Sequence, residues 1–198
     1  MPRADVESRI ANATFRLLAK EPWSRVTLAS VARAAKVSWD EMLRTAPTRA
    51  ALVGLVLHRA GADTAKRHKP DRMQNPRERV FDVIMCWFEG QNSRKDVIRS
   101  LYDGLRREPF TLLALRGEFL AAAEWLLALA EADAGTASTV CAVYIGGVVA
   151  RVLPVWFSDD EDLGKTMAEL DRDLRRVERF LWSAEKSKPN TRRKPQSS

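Results

Sequence analysis

Between Thr27 and Ala46 the chain carries two helix starts separated by a gap too short for anything but a tight turn. Thr27 stands where a helix N-cap belongs, ahead of Leu28 to Ala35. Ser38 with Glu41 three residues later forms a capping-box pattern and opens a second short helix. Lys36-Val37 joins them, and Pro47 ends the second helix at Ala46, because the residue before a proline is driven from helical geometry. Upstream, Ile10, Ala13, Phe15, Leu17 and Leu18 recur near the helical period over Val6 to Lys20, and Pro22 stops that helix. Downstream, Thr48 caps a longer helix reaching about His68. The pattern predicts a three-helix helix-turn-helix module, residues 1–68, supported by a longer helix.

The polar stretch Lys69 to Asn75, which includes Pro70, reads as a boundary. Beyond it the spacing predicts helices from Pro76 to about Glu89, over 94–107, 109–116 and 118–132, and from Gly135-Thr136 to Phe157. Ser158-Asp159-Asp160-Glu161 reads as another capping-box start. The helix that follows carries Leu163, Met167, Leu170, Leu174, Val177 and Leu181 at heptad-like spacing. Residues 69–184 are therefore expected to form a helical bundle, and 185–198 a disordered basic tail. Alternating strand patterns are weak throughout, so the expected class is all-α. Val140 to Phe157 is apolar, but Arg151 and Pro154 interrupt it; the reading is a bundle-centre helix and no transmembrane segment. Gly146-Gly147 inside that helix costs helical stability, which close helix packing, within the chain or across a dimer, or a gap for a ligand would offset.

Charge is uneven. Residues 1–67 hold twelve Lys/Arg against six Asp/Glu, whereas 68–184 hold sixteen against nineteen. A basic first module suggests a polyanionic partner, nucleic acid or an anionic membrane surface, or serves solubility alone. Cys86 and Cys141 lie in apolar stretches and read as buried thiols, which with the unleadered N-terminus gives a cytoplasmic expectation. His58 and His68 share no metal-binding face, and no phosphate loop or nucleophile elbow occurs. The expectation is no enzyme, no metal and no cofactor.

In a helix-turn-helix the second short helix enters the major groove by its N-terminal residues, here Ser38, Trp39, Asp40 and Glu41, with Arg44 one turn on. Thr27, Lys36, Thr48 and Arg49 stand at flanking helix ends suited to phosphates. Trp39 has an equal alternative in packing on the first helix. Ile10, Ala13, Leu17, Leu18, Val26-Thr27-Leu28, Val31-Ala32, Ala35, Val37-Ser38, Pro47-Thr48-Arg49 and Leu52 together resemble the N-terminal domain of TetR-family repressors. That resemblance implies a homodimeric, DNA-binding, ligand-responsive transcriptional regulator that binds an operator and a small apolar ligand. The sequence departs from the family pattern at Lys36, where Gly is usual, and at Asp40, Glu41, Leu43, Thr45 and Ala46. Asp40 and Glu41 face a polyanion, which costs affinity unless each meets a cytosine amino group.

A second set is similar to bacterial relatives of the coenzyme-Q-biosynthesis TetR-like lipid-binding proteins: Trp125, Val143-Tyr144, Val155-Trp156, Asp159-Asp160-Glu161, Thr166-Met167 and Leu170-Asp171-Arg172. It implies the alternative function, a lipid- or quinone-precursor-binding accessory protein with little or no DNA binding and with peripheral membrane contact. The aromatic residues Trp87, Phe88, Phe119, Trp125, Tyr144 and Trp156 are candidates for a ligand cavity between helices, with ordinary core packing as the alternative for each. Gly146, Gly147, Leu170, Leu174, Val177 and Leu181 are candidates for dimer or helix packing.

Overall fold

The computed structural model describes residues 3–132 and 138–181, without the side chains of Arg3, Ser138 and residues 179–181. The expected helix start at Gly135-Thr136, the Leu181 side chain and the 185–198 tail lie outside that description. Among the described residues every regular element is helical: α1 (Arg3–Leu18), α2 (Leu28–Ala35), α3 (Trp39–Thr45), α4 (Arg49–Arg67), α5 (Pro76–Gln91), α6 (Lys95–Leu105), α7 (Pro109–Ala114), α8 (Arg116–Leu129), α9 (Ser138–Phe157) and α10 (Gly164–Leu181). Short 3₁₀ turns lie at Trp23–Arg25 and Asn92–Arg94.

The helices gather around two cores. In the first, Ile10, Ala13, Trp23, Val26, Val31, Met42, Ala46 and Leu52 bring α1 to α4 together, and Leu101, Leu105 and Leu115 from α6 and the α7–α8 corner join them. In the second, Val80, Val83, Ile84 and Phe88 of α5 meet Ala123 and Leu127 of α8, Cys141, Ile145, Val148, Val152 and Trp156 of α9, and Leu170 and Leu174 of α10. The division into cores thus differs from a boundary at 68–69, because part of the later chain completes the earlier core.

Local chemistry explains most helix starts. The Thr27 hydroxyl accepts the Ser30 N–H at 3.1 Å and the Ser30 hydroxyl accepts the Thr27 N–H at 3.0 Å. Asn75 and Glu78 make the same reciprocal pair ahead of Pro76, and the Thr48 hydroxyl accepts the Ala51 N–H.

The expected start at Ser158 is corrected. The Ser158 hydroxyl turns back to donate to the Val155 carbonyl at 2.9 Å, and α10 begins at Gly164 after Leu163 in left-handed geometry at φ 56°. The Asp159 carboxylate caps that helix instead, accepting the N–H and the hydroxyl of Thr166, each at 2.7 Å. Burial works to raise the Asp159 pKa, but these bonds, the Asp160 N–H and nearby Lys165 outweigh it and hold the carboxyl below its ordinary value.

α9 is also not buried all round. Cys141, Ala142, Ile145, Val148, Val152 and Trp156 are buried, whereas Val140, Val143, Tyr144, Gly147, Ala150 and Pro154 face outward. The segment Thr139–Phe157 is long and apolar enough to cross a membrane, with a mean hydropathy of 1.8 over its most apolar stretch. In the fold this helix packs on α8 and α10 by one face and leaves an apolar face open.

Candidate nucleic-acid interface

α2 and α3 are separate helices joined at Lys36-Val37. Lys36 takes left-handed geometry, φ 54° and ψ 46°, the conformation that ends a helix most cheaply with Gly. Two arginines of α1 brace this turn from beneath. Arg9 donates to the carbonyls of Ala35, at 2.8 and 3.1 Å, and of Lys36, and Arg16 donates to that of Ala34 at 3.0 Å. They satisfy carbonyls that the helix end would leave unpaired.

α3 is anchored by Met42, fully buried against the first core. Its opposite face is open: Trp39 and Leu43 are each 55% exposed, and Asp40 and Arg44 lie beside them. Trp39 therefore points outward rather than packing on α1. The two acidic residues are engaged. Glu41 accepts the Ser38 N–H at 2.8 Å and the Ser38 hydroxyl at 3.0 Å while the Ser38 Oγ accepts the Glu41 N–H, and these bonds lower the Glu41 pKa. Asp40 pairs with Arg44 at 2.6 Å on the outer face. Exposed pairs of this kind contribute about 0–1 kcal/mol, so Arg44 is released cheaply when a stronger anion arrives.

Thr27, Lys36, Ser38, Trp39, Asp40, Arg44 and Thr48 are all exposed at the helix starts and turns of this module. Arg49 is the exception, half-buried and with its guanidinium engaged within the chain. Its Nη2 donates to the Trp23 carbonyl at 2.7 Å, its Nη1 to Glu108 at 3.0 Å, and its guanidinium sits 4.2 Å from the centre of the Trp23 ring. Trp23, Gly104 and Glu108, which build this joint, were not singled out by sequence reasoning. The available signal was a tryptophan straight after Pro22, at the stop between two helices.

The aromatic set divides. Phe88 and Trp156 are fully buried and pack with half-buried Trp87 in edge-on and tilted contacts, ring centres 5.1 to 6.0 Å apart, so these three fill space. Trp125 lies against Gly61 of α4, where an added Cβ would stand 3.2 Å from the indole. Phe119 and Tyr144 are on the outer surface. Two open hollows lie elsewhere, one between Asn92, Lys95, Asp96 and residues 159–162, the other between Trp23 and α6.

The packing candidates divide as well. Leu170, Leu174 and Val177 are buried within the chain's own second core, whereas Met167 of the same stripe is exposed. A Cβ at Gly146 would meet Ala123 at an ordinary 3.7 Å, and one at Gly147 would meet open space, so neither glycine marks a tight approach within the chain. Among the described residues no group of three His, Cys, Asp or Glu is placed to hold a metal.

No protein-family model matches the sequence, and no curated protein matches it. Among solved structures, the chain is similar to a TetR transcriptional regulator from Rhodococcus sp. RHA1, with a TM-score of 0.58 over 89% of this chain and 97% of that one at 14% identity. The fold is TetR-like. At that identity the likeness shows the architecture alone.

Proposed function

We propose that this TetR-like protein is a DNA-binding transcriptional regulator that acts as a homodimer. The observation that carries the reading is the outer face of α3. It is held rigidly from below by Met42, and its two acids are occupied, Glu41 by the helix cap and Asp40 by Arg44. The pair with Arg44 offsets the charge of Asp40, whereas Glu41 keeps its negative charge but is turned back into the helix cap. Trp39 and Leu43 then offer apolar contact to thymine methyls or sugars, and Lys36, Arg44 and the hydroxyls of Thr27 and Thr48 lie within reach of phosphates. The outer face of α9 supplies the second half of the reading: Val140, Val143, Tyr144, Gly147 and Ala150 form an apolar strip suited to the same strip on a second copy. The lipid-accessory alternative gains no comparable support, because the aromatic residues it calls on pack against one another, lie against Gly61 in the case of Trp125, or lie on the outside.

The test is binding to duplex DNA taken from beside the protein's own gene, measured at two salt concentrations. Binding that weakens steeply with salt, and with a shallower slope in Arg44→Ala and Lys36→Ala, is the expected result. No salt-dependent binding to that DNA or to a randomised duplex pool, together with lipid co-purifying in mass spectrometry, refutes it in favour of the accessory protein.

A further inference from the structure

The joint between the reading module and the helical body is closed by a side chain of the module that bonds to both sides. Arg49 is the first residue of α4, immediately after its Thr48 cap. Its guanidinium reaches back to the carbonyl of Trp23, in the turn between α1 and α2, and across to Glu108 at the α6–α7 corner. Glu108 is held in turn by the Thr111 hydroxyl at 2.9 Å. Trp23 is fully buried and pressed so closely on α6 that a Cβ at Gly104 would stand 2.6 Å from its own Cβ. A second brace, Arg94 near Asp63 at 3.8 Å and over Phe15 at 4.9 Å, is looser.

The geometry points to Arg49 as a positioning residue: through Trp23 and Glu108 it sets the angle at which α2 and α3 are carried on the body, and so, in a dimer, the half-site spacing the protein accepts. This rests on the DNA-binding reading above. A planar fork is needed because one guanidinium must donate in two directions while lying flat on an indole; an ammonium keeps the charge but loses that shape. Spacing follows because two reading helices must enter successive major grooves, and a tilt of each head changes their separation.

The experiment turns on the sign of Glu108→Gln. Were Arg49 a phosphate anchor, loosening its carboxylate partner would free it and tighten DNA binding, and Arg49→Lys would behave nearly as the parent. As a positioning residue, Glu108→Gln weakens binding to the best selected duplex by about tenfold, leaves the salt slope unchanged, and flattens the preference among sites of different half-site spacing. Arg49→Lys follows it. Tighter binding in Glu108→Gln, or a spacing preference that survives both substitutions, overturns the inference.

A second measurement decides it without DNA. Spin labels at Arg33→Cys and Arg172→Cys, in a Cys86→Ser, Cys141→Ala background diluted with unlabelled protein, report the distance from α2 to α10. A narrow distribution in the parent that broadens in Glu108→Gln and Arg49→Lys supports the clamp, and unchanged widths overturn it. If the parent binds no duplex, the regulator reading fails by itself and the label distances still judge the joint.

Discussion

Lys36 places a side chain where the backbone favours none. Left-handed geometry costs an L-residue about 1–2 kcal/mol; Gly avoids that cost, but its greater loss of freedom on folding cancels part of the gain. Lys36→Gly is therefore expected to stabilise the protein by roughly 0.5–1 kcal/mol, read as a rise in Tm of a few degrees. The same substitution removes a cation from the proposed DNA face and is expected to weaken duplex binding. Stability and affinity moving in opposite directions marks a residue retained for its charge; a fall in both would mean that the Lys36 stem packs on the turn. A second prediction concerns acid. Asp159 and Asp171 are both held below the ordinary carboxylate range. Capping bonds outweigh burial at Asp159, and Asp171 is held by Arg175 and then Arg77, which approaches it at 2.5 Å. Because their folded pKa values lie below the unfolded ones, they stabilise the fold above the unfolded carboxylate pKa, near 3.9, and that stability is lost as pH falls through the lowered folded values. Urea midpoints measured downward from neutral pH are expected to fall less steeply in Asp159→Asn than in the parent, from a lower starting point. An unchanged acid limb would show that the Thr166 cap carries no linkage.

At the scale of elements, what was legible in the sequence was what is local. Ser38 and Glu41 are three residues apart, and the cap they form is a property of one helical turn, so α3 was readable with its start. The Ser158–Glu161 pattern has the same letters but no helix behind it, because the α10 cap comes from Asp159 seven residues before Thr166, across a left-handed Leu163. Arg49 has ties that the sequence hid for a related reason. Its sequence position at a helix start suits a phosphate, and nothing in the neighbouring residues reveals that Glu108 will stand beside it. α9 shows a third limit: composition marks it apolar, but which face stays open depends on where α8 and α10 lie. The open face predicts association. Tyr144→Glu and Val143→Asp, each on exposed positions, are expected to convert a dimer to monomer in sedimentation experiments while leaving the helical circular dichroism intact. A parent that sediments as a monomer at micromolar concentration would remove the strip from the account.

At the scale of the molecule, the N-terminal module is not a separable bead on a bundle. Its core includes Trp23, which packs against Gly104, and it is closed by Leu101, Leu105 and Leu115, all from beyond the polar stretch at 69–75. A chain cut at residue 68 would expose that side of the core and leave Arg49 without Glu108, the partner that fixes its fork. Losing three buried leucines from one small core costs on the order of 2–5 kcal/mol for each one truncated to alanine, against a marginal total for a unit of that size. The fragment 1–68 is therefore expected to give a poorly dispersed amide spectrum and a broad thermal transition, although its α1, α2 and α3 carry good local signals. The full chain carrying Leu105→Ala should lose stability in the same region, seen as faster hydrogen exchange in α1 and α2 than in α9. A fragment that folds cooperatively would mean that the body only hangs from the module. The clamp at Arg49 would then have nothing to transmit, because a head that is complete by itself takes no orientation from the corner it touches.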